Sequence, residues 1–430
     1  MFTSPKRMKT EQSLFQRIIE GIHDMCYIWW MEMKNTIKDE GVLIFCVLVP
    51  LGYPLIYSWI YNNEVVRDVP VAVVDMSHSE ASREFARRFD ASPSTKVAYY
   101  CDNLNDAKTL IGQQKAYGIL YFPESFQRDL GRSEQAHVGV YCEMSFMLTY
   151  KAIFQTATSV AADMNTAIQL PQSGGFTNRD DEVNAKPLDF DEIAMFNSPL
   201  GYGNALLPAV LILILQQTLL LGIGLSAGTA RENNRFKDLV PMSRHFNGIF
   251  RIVLGKSMCY FMIYCVMGAY ITLAVPRMFR FTAIAQPAHL ALFMIPFILA
   301  VIFFGMFLSC MVRYRENVIL LVVFTSVPFL FMSGVSWPQS NIPGIWEGFA
   351  SLIPSTFGVR GFLKLSSMGA DLHDVETEYQ ALWMQVLVYF FATCMVYRYQ
   401  ILSARKHAIE RMERIKSSLI NQPDVKETQQ

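Results

Sequence analysis

The sequence predicts a polytopic α-helical membrane protein, with six transmembrane helices and a large extracytoplasmic α/β domain between the first and second spans. Three observations carry this. Hydrophobic residues make up 52% of the 430 residues and charged residues only 17%, with a mean hydropathy of +0.23. That balance suits a membrane protein with substantial soluble parts and is unusual for a water-soluble enzyme. Six charge-poor stretches approach or exceed the length needed to cross a hydrocarbon core, about 20 residues. Between the first two of them, short apolar runs bounded by turn residues alternate with helical patterns, as in an α/β module.

Residues 1–41 read as a cytoplasmic N-terminal segment. They hold no uninterrupted apolar core, so no cleavable signal peptide is expected and the first span serves as its own insertion signal. Leu14, Ile18, Ile22, Met25 and Trp29 recur at steps of three and four, which gives one apolar face of a helix. With Trp29 and Trp30 near its basic end, this helix is expected either in the membrane interface or packed on its own protein. Residues 42–61 form the first span. Pro50 and Pro54 are expected to kink it, and Tyr53, Tyr57, Trp59 and Tyr61 gather at its far end like an aromatic belt.

The α/β domain occupies 62–202. Strands are predicted at 69–75, 96–101, 118–122 and 136–142, and helices at 80–89, 104–114, 123–130 and 146–170, followed by a polar linker, 172–184. Cys101 and Cys142 end the second and fourth strands. They are expected either as a disulfide, if those strand ends are adjacent, or as two separate thiols. The remaining cysteines fit packing, and neither CxxC nor HExxH occurs, so no metal site is expected.

A five-span domain, 203–402, follows, with spans at 205–225, 249–275, 288–310, 317–336 and 383–402, and a tail from 403 to 430. The stretch from Ala288 to Cys310 holds about thirteen Leu, Ile, Val or Phe residues, worth about −4 to −8 kcal/mol toward insertion with no charge opposing it. Lys and Arg collect in the N-terminal segment, the loop from Arg231 to Arg244, Arg313 with Arg315, and the tail. That bias puts both termini and these loops in the cytoplasm. One short loop, 276–286, holds Arg277 and Arg280 against the trend. Total Lys+Arg and Asp+Glu balance at 37 each, so net charge predicts no nucleic-acid partner.

One span, a large outside domain and then five spans is a pattern that resembles the permease subunit of type-2 ATP-binding cassette exporters, over nearly the whole chain. Locally, Val71-Ala72-Val73-Val74-Asp75, Gly118-Ile119-Leu120-Tyr121-Phe122-Pro123 and Phe196-Asn197-Ser198-Pro199 are similar to the family's outside domain and its approach to the second span. Ala230-Arg231-Glu232 through Pro241 stands where the family has a cytoplasmic coupling helix that docks on the ATPase. Its Asn233-Asn234-Arg235 run departs from the family's usual Lys/Arg-Gly-Thr. Met332-Ser333-Gly334, Trp337-Pro338, Ile342-Pro343 and Leu352-Ile353-Pro354 look like its outer re-entrant hairpin, here 337–366.

The resemblance implies roles for particular residues. Arg231, Glu232, Arg235, Lys237 and Asp238 are expected to couple the permease to the ATPase, where the charges alone read rather as a solvated loop. Gln216, Gln217 and Thr218 sit mid-span and are expected to line a translocation path, to bond across a dimer seam, or to join helices within the chain. Gly224 and Gly228 form a GxxxG that permits close helix approach at such a seam. Trp337, Pro338, Pro343 and Pro354 would belong to an outer gate, with Trp346, Phe349, Phe357 and Phe362 as interface anchors.

No catalytic residue or directly bound cofactor is expected. The nearest match to a phosphate-binding loop, Gly255-Lys256-Ser257, has its preceding glycine too far upstream, at Gly248. ATP and Mg would be used by a separate ATPase subunit. The partners implied are that ATPase, a second permease copy or a paralogue, membrane lipid and a periplasmic adaptor, in a bacterial cytoplasmic (inner) membrane. The cargo implied is a small amphiphile, drug or lipid-like compound. The competing reading is a membrane-anchored sensor or assembly protein that uses its outside domain to bind a ligand or adaptor.

The topology is testable by single-cysteine labelling in a Cys-free background. A cysteine at Asn103 should react from outside intact cells, and one at Lys416 only after permeabilisation. Outside labelling at 416 would contradict six spans with both ends inside.

Overall fold

The structure is a computed structural model describing residues 14–62, 65–132, 134–173, 195–197, 201–232, 248–312 and 314–420; side chains 14–17, 170–173, 232 and 401–420 fall outside that description. The chain divides into two compact units, one running to Asn62 and resuming at Tyr202, the other Asn63–Gly201.

The second unit is built on a four-stranded sheet of order β2-β1-β3-β4. β1 (Val69–Asp75) pairs in parallel with β2 (Thr95–Cys101) and with β3 (Gly118–Phe122), and β4 (Gly139–Cys142) runs antiparallel to β3. The first three strands are joined through α3 (Glu80–Asp90) and α4 (Leu104–Gly112), the crossovers that parallel pairing requires. β1 lies inside the sheet and is buried on both faces. Val71 and Val73 meet Phe85, Phe89, Leu120 and Ile153 on one side, while Ala72 and Val74 meet Ala107, Ala116 and Ile119 on the other.

Asp75 ends β1 by accepting the backbone N–H groups of Ser77 and His78, each at 3.0 Å, and the Ser82 hydroxyl at 2.6 Å. Ser79 and Ser82 close a capping box that starts α3. Helix α5 (Phe126–Gly131) begins three residues later than the sequence suggests. Pro123 to Ser125 make a turn instead, with Phe126 N–H donating to the Pro123 carbonyl. The last strand is also shorter than expected, starting at Gly139. The long helix α6 (Met147–Ser173) completes the unit; most of the expected 172–184 linker lies outside the described residues.

This strand order overturns the Cys101–Cys142 bridge. β2 and β4 are opposite edges of the sheet with β1 and β3 between them, about 14 Å apart at the usual strand spacing. A disulfide needs Cα atoms within about 4.4–6.8 Å. Both cysteines are free, and burial pushes each thiol above its ordinary pKa, so neither is an activated thiolate.

The other unit holds, among its described residues, six helices long and apolar enough to cross a membrane. They are α2 (Glu40–Ile60), α7 (Tyr202–Glu232), α8 (Ile249–Phe279), α9 (Pro287–Met311), α10 (Arg315–Met332) and the first part of α13 (Glu376–Ile420). Ahead of them lies α1 (Leu14–Lys38), and between α10 and α13 come two short helices, α11 (Gly344–Ala350) and α12 (Pro354–Met368). α7 and α9 form the centre, with 78% and 72% of their apolar windows buried against 11% for α10.

α2 and α8 each contain one π turn, Ile44–Leu48 and Tyr270–Ala274, and each turn is followed two residues later by proline, Pro50 and Pro276. Proline cannot donate to the carbonyl four residues back, and the wider turn accommodates the interruption. α8 therefore runs on through Pro276 to Phe279. Arg277 lies in its last turn rather than in the loop where the sequence placed it, and Arg280 ends the helix at a φ of 58°.

Glycine sets the closest approaches around α7. A Cβ at Gly224 would overlap the Val318 side chain, and one at Gly228 would lie 2.9 Å from the Arg315 Cα, both on α10. Both glycines are buried within the chain. The GxxxG expected at a dimer seam is thus occupied by the protein's own α10. Gly228→Ala should lower the melting temperature in detergent, since backbone must move, with a cost of about 1–3 kcal/mol. Gly52→Ala on α2, where a Cβ meets nothing within 4 Å, should leave it unchanged or slightly higher; equal effects of the two would contradict this packing.

Candidate coupling and translocation site

One cluster of charged residues in the helical unit lies where α1 meets the start of α8, near the end of α7. α1 lies along α8 in the same direction for three turns. Asp24 Oδ2 pairs with Arg251 Nη1 at 3.1 Å, Ile28 and the Met25 carbonyl pack where Gly255 lacks a side chain, and Glu32 Oε2 pairs with Lys256 Nζ at 3.1 Å. Tyr260 Oη donates to Glu32 Oε1 at 2.8 Å.

The Glu32 and Lys256 side chains are only 5% and 8% exposed. Neither ion can be left alone there, because an unpaired buried charge is far more costly than the pair. Gly255 and Lys256 are unsuited to phosphate by their spacing, and each has a structural role instead. Gly255 admits α1, and Lys256 anchors it. α1 thus packs on its own protein along this stretch. The outward arc still carries Ile18, Ile22, Tyr27 and Trp30, all exposed.

Asp39 joins three further elements. Its Oδ1 caps α2 through Gly41 N–H (3.1 Å) and Val42 N–H (3.2 Å) and receives Arg315 Nη2 at 3.1 Å; its Oδ2 accepts the Thr229 hydroxyl at 2.9 Å. One carboxylate therefore fixes the start of α2, the end of α7 and the start of α10. A cavity of about 490 Å³ lies among Glu32, Lys38, Asp39, Thr229, Lys256 and Arg315.

Arg231 makes its contacts within its own chain. Its guanidinium donates to the Ser309 carbonyl at 2.8 Å, to Cys310 at 3.2 Å and to Val312, the open carbonyl groups at the end of α9. Gln400 of α13 adds a bond to the Cys310 carbonyl. Arg231 thus caps a helix of its own chain, a favourable place for a cation. The Glu232 side chain and the whole of Arg235, Lys237 and Asp238 lie outside the described residues.

Midway along α7, Gln216, Gln217 and Thr218 are all buried. Gln216 Nε2 donates to Ser355 Oγ on α12 at 3.0 Å, and the Thr218 hydroxyl donates to the Ile214 carbonyl at 2.8 Å. Gln216 thus joins two helices of the chain. The Gln217 amide has no hydrogen-bond partner among the described residues.

The proline-rich stretch after α10 has an exposed part and an inserted part. Pro338 precedes a short 3-10 turn, Gln339–Asn341, and Pro343 precedes α11, whose Ile345, Trp346 and Phe349 are exposed along with Trp337. Pro354 starts α12, which is buried deep in the bundle. Gly358 and Gly361 sit directly against the rings of Phe297 and Phe293 of α9. Phe362 is 1% exposed and Phe357 half-buried, so these two are core residues rather than the interface anchors expected. α12 is also fastened to α13 by Lys364 Nζ–Glu378 Oε1 at 2.6 Å, and the turn before it by Gln385 to the Ser351 carbonyl and Tyr389 to the Leu352 carbonyl.

Glu32 and Asp39 were not singled out from sequence, and Lys256 and Arg315 were noted without these partners. The available signal was a lone acid on a helix face otherwise apolar, and a lone lysine just inside an apolar span. Glu32→Ala or Lys256→Ala alone should destabilise the protein by about 3–5 kcal/mol. Glu32→Met with Lys256→Met should recover most of that loss in thermal unfolding; purely additive losses would mean the two ions are not coupled.

No curated protein matches the chain. A family model does, over residues 41–395, under the description ABC-2 family transporter protein. That span runs from the first residues of α2, through the α/β unit, to the last membrane-length helix. The chain therefore belongs to the ABC-2 family of transporter proteins, as a multi-pass membrane subunit of the permease type.

Proposed function

We propose that this permease subunit forms the path for ATP-driven export of a small amphiphile, drug or lipid-like compound across a bacterial cytoplasmic membrane. Two permease copies, identical or paralogous, enclose the path, and a separate ATPase subunit hydrolyses ATP. Both termini lie in the cytoplasm and the α/β unit lies outside, where a periplasmic adaptor can reach it. The positive bias of the loops supports that orientation.

One observation carries the reading. Within a family-matched permease, the α7–α8 connection emerges between two fastened points, Asp39 with Thr229 on α7 and Asp24 with Arg251 on α8. A force applied to this connection by an ATPase reaches α1, α2, α8 and α10 at once, and through Arg231 it reaches the end of α9. The surface contact itself falls to Glu232, Arg235, Lys237 and Asp238. In the membrane, Gln216 and Gln217 face the path when the α12 hairpin opens, and the stretch with Trp337, Pro338, Pro343 and Pro354 forms the outer gate.

The test separates partner contact from folding. Arg235→Glu with Lys237→Glu should leave expression intact but abolish co-purification of the ATPase and the stimulation of its hydrolysis by amphiphiles. Arg231→Glu should instead lower the permease's own stability, since it strips the cap from α9. Normal coupling in a well-expressed double reversal would mean that the ATPase docks elsewhere.

A further inference from the structure

We propose that the α/β unit carries a binding site for a single-chain, uncharged amphiphile in an apolar groove between α6 and the chain leading into β4. The groove encloses about 320 Å³, within the range of small-ligand pockets. One wall is a stripe of α6 that includes Phe154, Ala157, Ala161, Met164 and Ile168. The steps of three and four keep these on one helix face, and the stripe runs about 21 Å from Phe154 to Ile168. The facing wall is every second residue from Ala136 through Val138 to Val140, and Phe85, Phe126 and Leu130 close its inner side.

The groove is an open continuation of the unit's core. Ile153, Ala157 and Val160 bury the first half of the α6 stripe beneath the sheet, and Ala161, Met164, Val138 and Val140 extend it only half-covered. Alanine at 136, 157 and 161 leaves the space that larger side chains would fill. None of the described lining residues is charged, so an ionised group would lose its hydration without compensation from them. A hydrocarbon body loses nothing there.

Among the described lining residues, polar groups enter at two positions, both on the exposed rim of α6. The Thr158 hydroxyl already donates to the Phe154 carbonyl at 2.8 Å and keeps its lone pairs for accepting. Asn165 offers both a donor and an acceptor. A narrow apolar slot with a neutral hydrogen-bonding rim fits a single alkyl chain ending in a hydroxyl or similar head group. Its role as a capture site for the transported compound rests on the export reading above; the binding itself does not.

The experiment uses the full chain in lipid nanodiscs and, as probe, dodecanol bearing a mid-chain diazirine, with labelled peptides mapped after photolysis. Labelling is expected on residues 136–140 and 154–168, competed by excess plain dodecanol. Ala161→Trp, which fills the slot, should reduce it at least about tenfold, and Ala161→Met should reduce it less. Ala162→Trp, on the exposed side of the same helix, should leave it unchanged. Labelling of Phe324 and Val327, on the exposed face of α10, serves as the standard for probe in the bilayer.

Labelled α10 with unlabelled groove peptides would overturn the proposal, as would labelling indifferent to Ala161→Trp. A photoreactive side chain at position 161 that cross-links to residues 174–194 or to a second copy, with no probe labelling, would show a groove closed by protein and also overturn it. Groove labelling without amphiphile-stimulated ATP hydrolysis would remove the transport role and leave the site standing.

Discussion

The buried pair between Glu32 and Lys256 is the constraint on which the helical unit's charged end depends. Such a pair adds little net stability, because removing two ions from water offsets most of their attraction. Its effect is on register. Moving either ion away breaks a pairing made inside the protein, which opposes α1 sliding along or lifting from α8 by a turn. Tyr260 takes up the remaining acceptor capacity on Glu32, and Gly255 brings the backbones close enough for the short reach of a glutamate. With α1 held, Asp39 immediately after it is placed to cap α2 and to receive Thr229 and Arg315.

Close contacts elsewhere follow the same economy of small residues. Gly224 and Gly228 admit α10 to α7, and Gly358 and Gly361 admit α12 to the phenylalanines of α9. In hydrocarbon there is no hydrophobic drive between helices, so packing contacts and buried hydrogen bonds such as Gln216 to Ser355 must set the arrangement. A permease must also be able to rearrange. The exposed α11 is held least by the rest of the unit, while α7 and α9 form the frame.

Much of this was legible in the sequence wherever one chain segment specifies its own environment. The six spans and the strands at 69–75 and 118–122 were readable because uninterrupted apolar runs bounded by turn residues have few alternatives. Pairing was not readable. Glu32 and Tyr260 lie 228 residues apart, and no local pattern links them. The glycine pair on α7 announced a close helix contact but not which helix makes it. The contact of Arg231 with the end of α9 was not readable either, because no local pattern links the two segments. The Cys101–Cys142 bridge failed on strand order, which depends on the crossovers rather than on either strand's composition.

The central claim is that α1 and α8 move as one body when the ATPase acts. Thr36 on α1 neighbours the native Cys259 on α8, so Thr36→Cys, in a chain whose other cysteines are replaced, sets two thiols together for oxidation to join. Locking them should leave amphiphile-stimulated ATP hydrolysis and transport in reconstituted vesicles at the level of the reduced protein. Transport lost on oxidation and restored by reductant would show that α1 must part from α8 during the cycle, and would contradict the account.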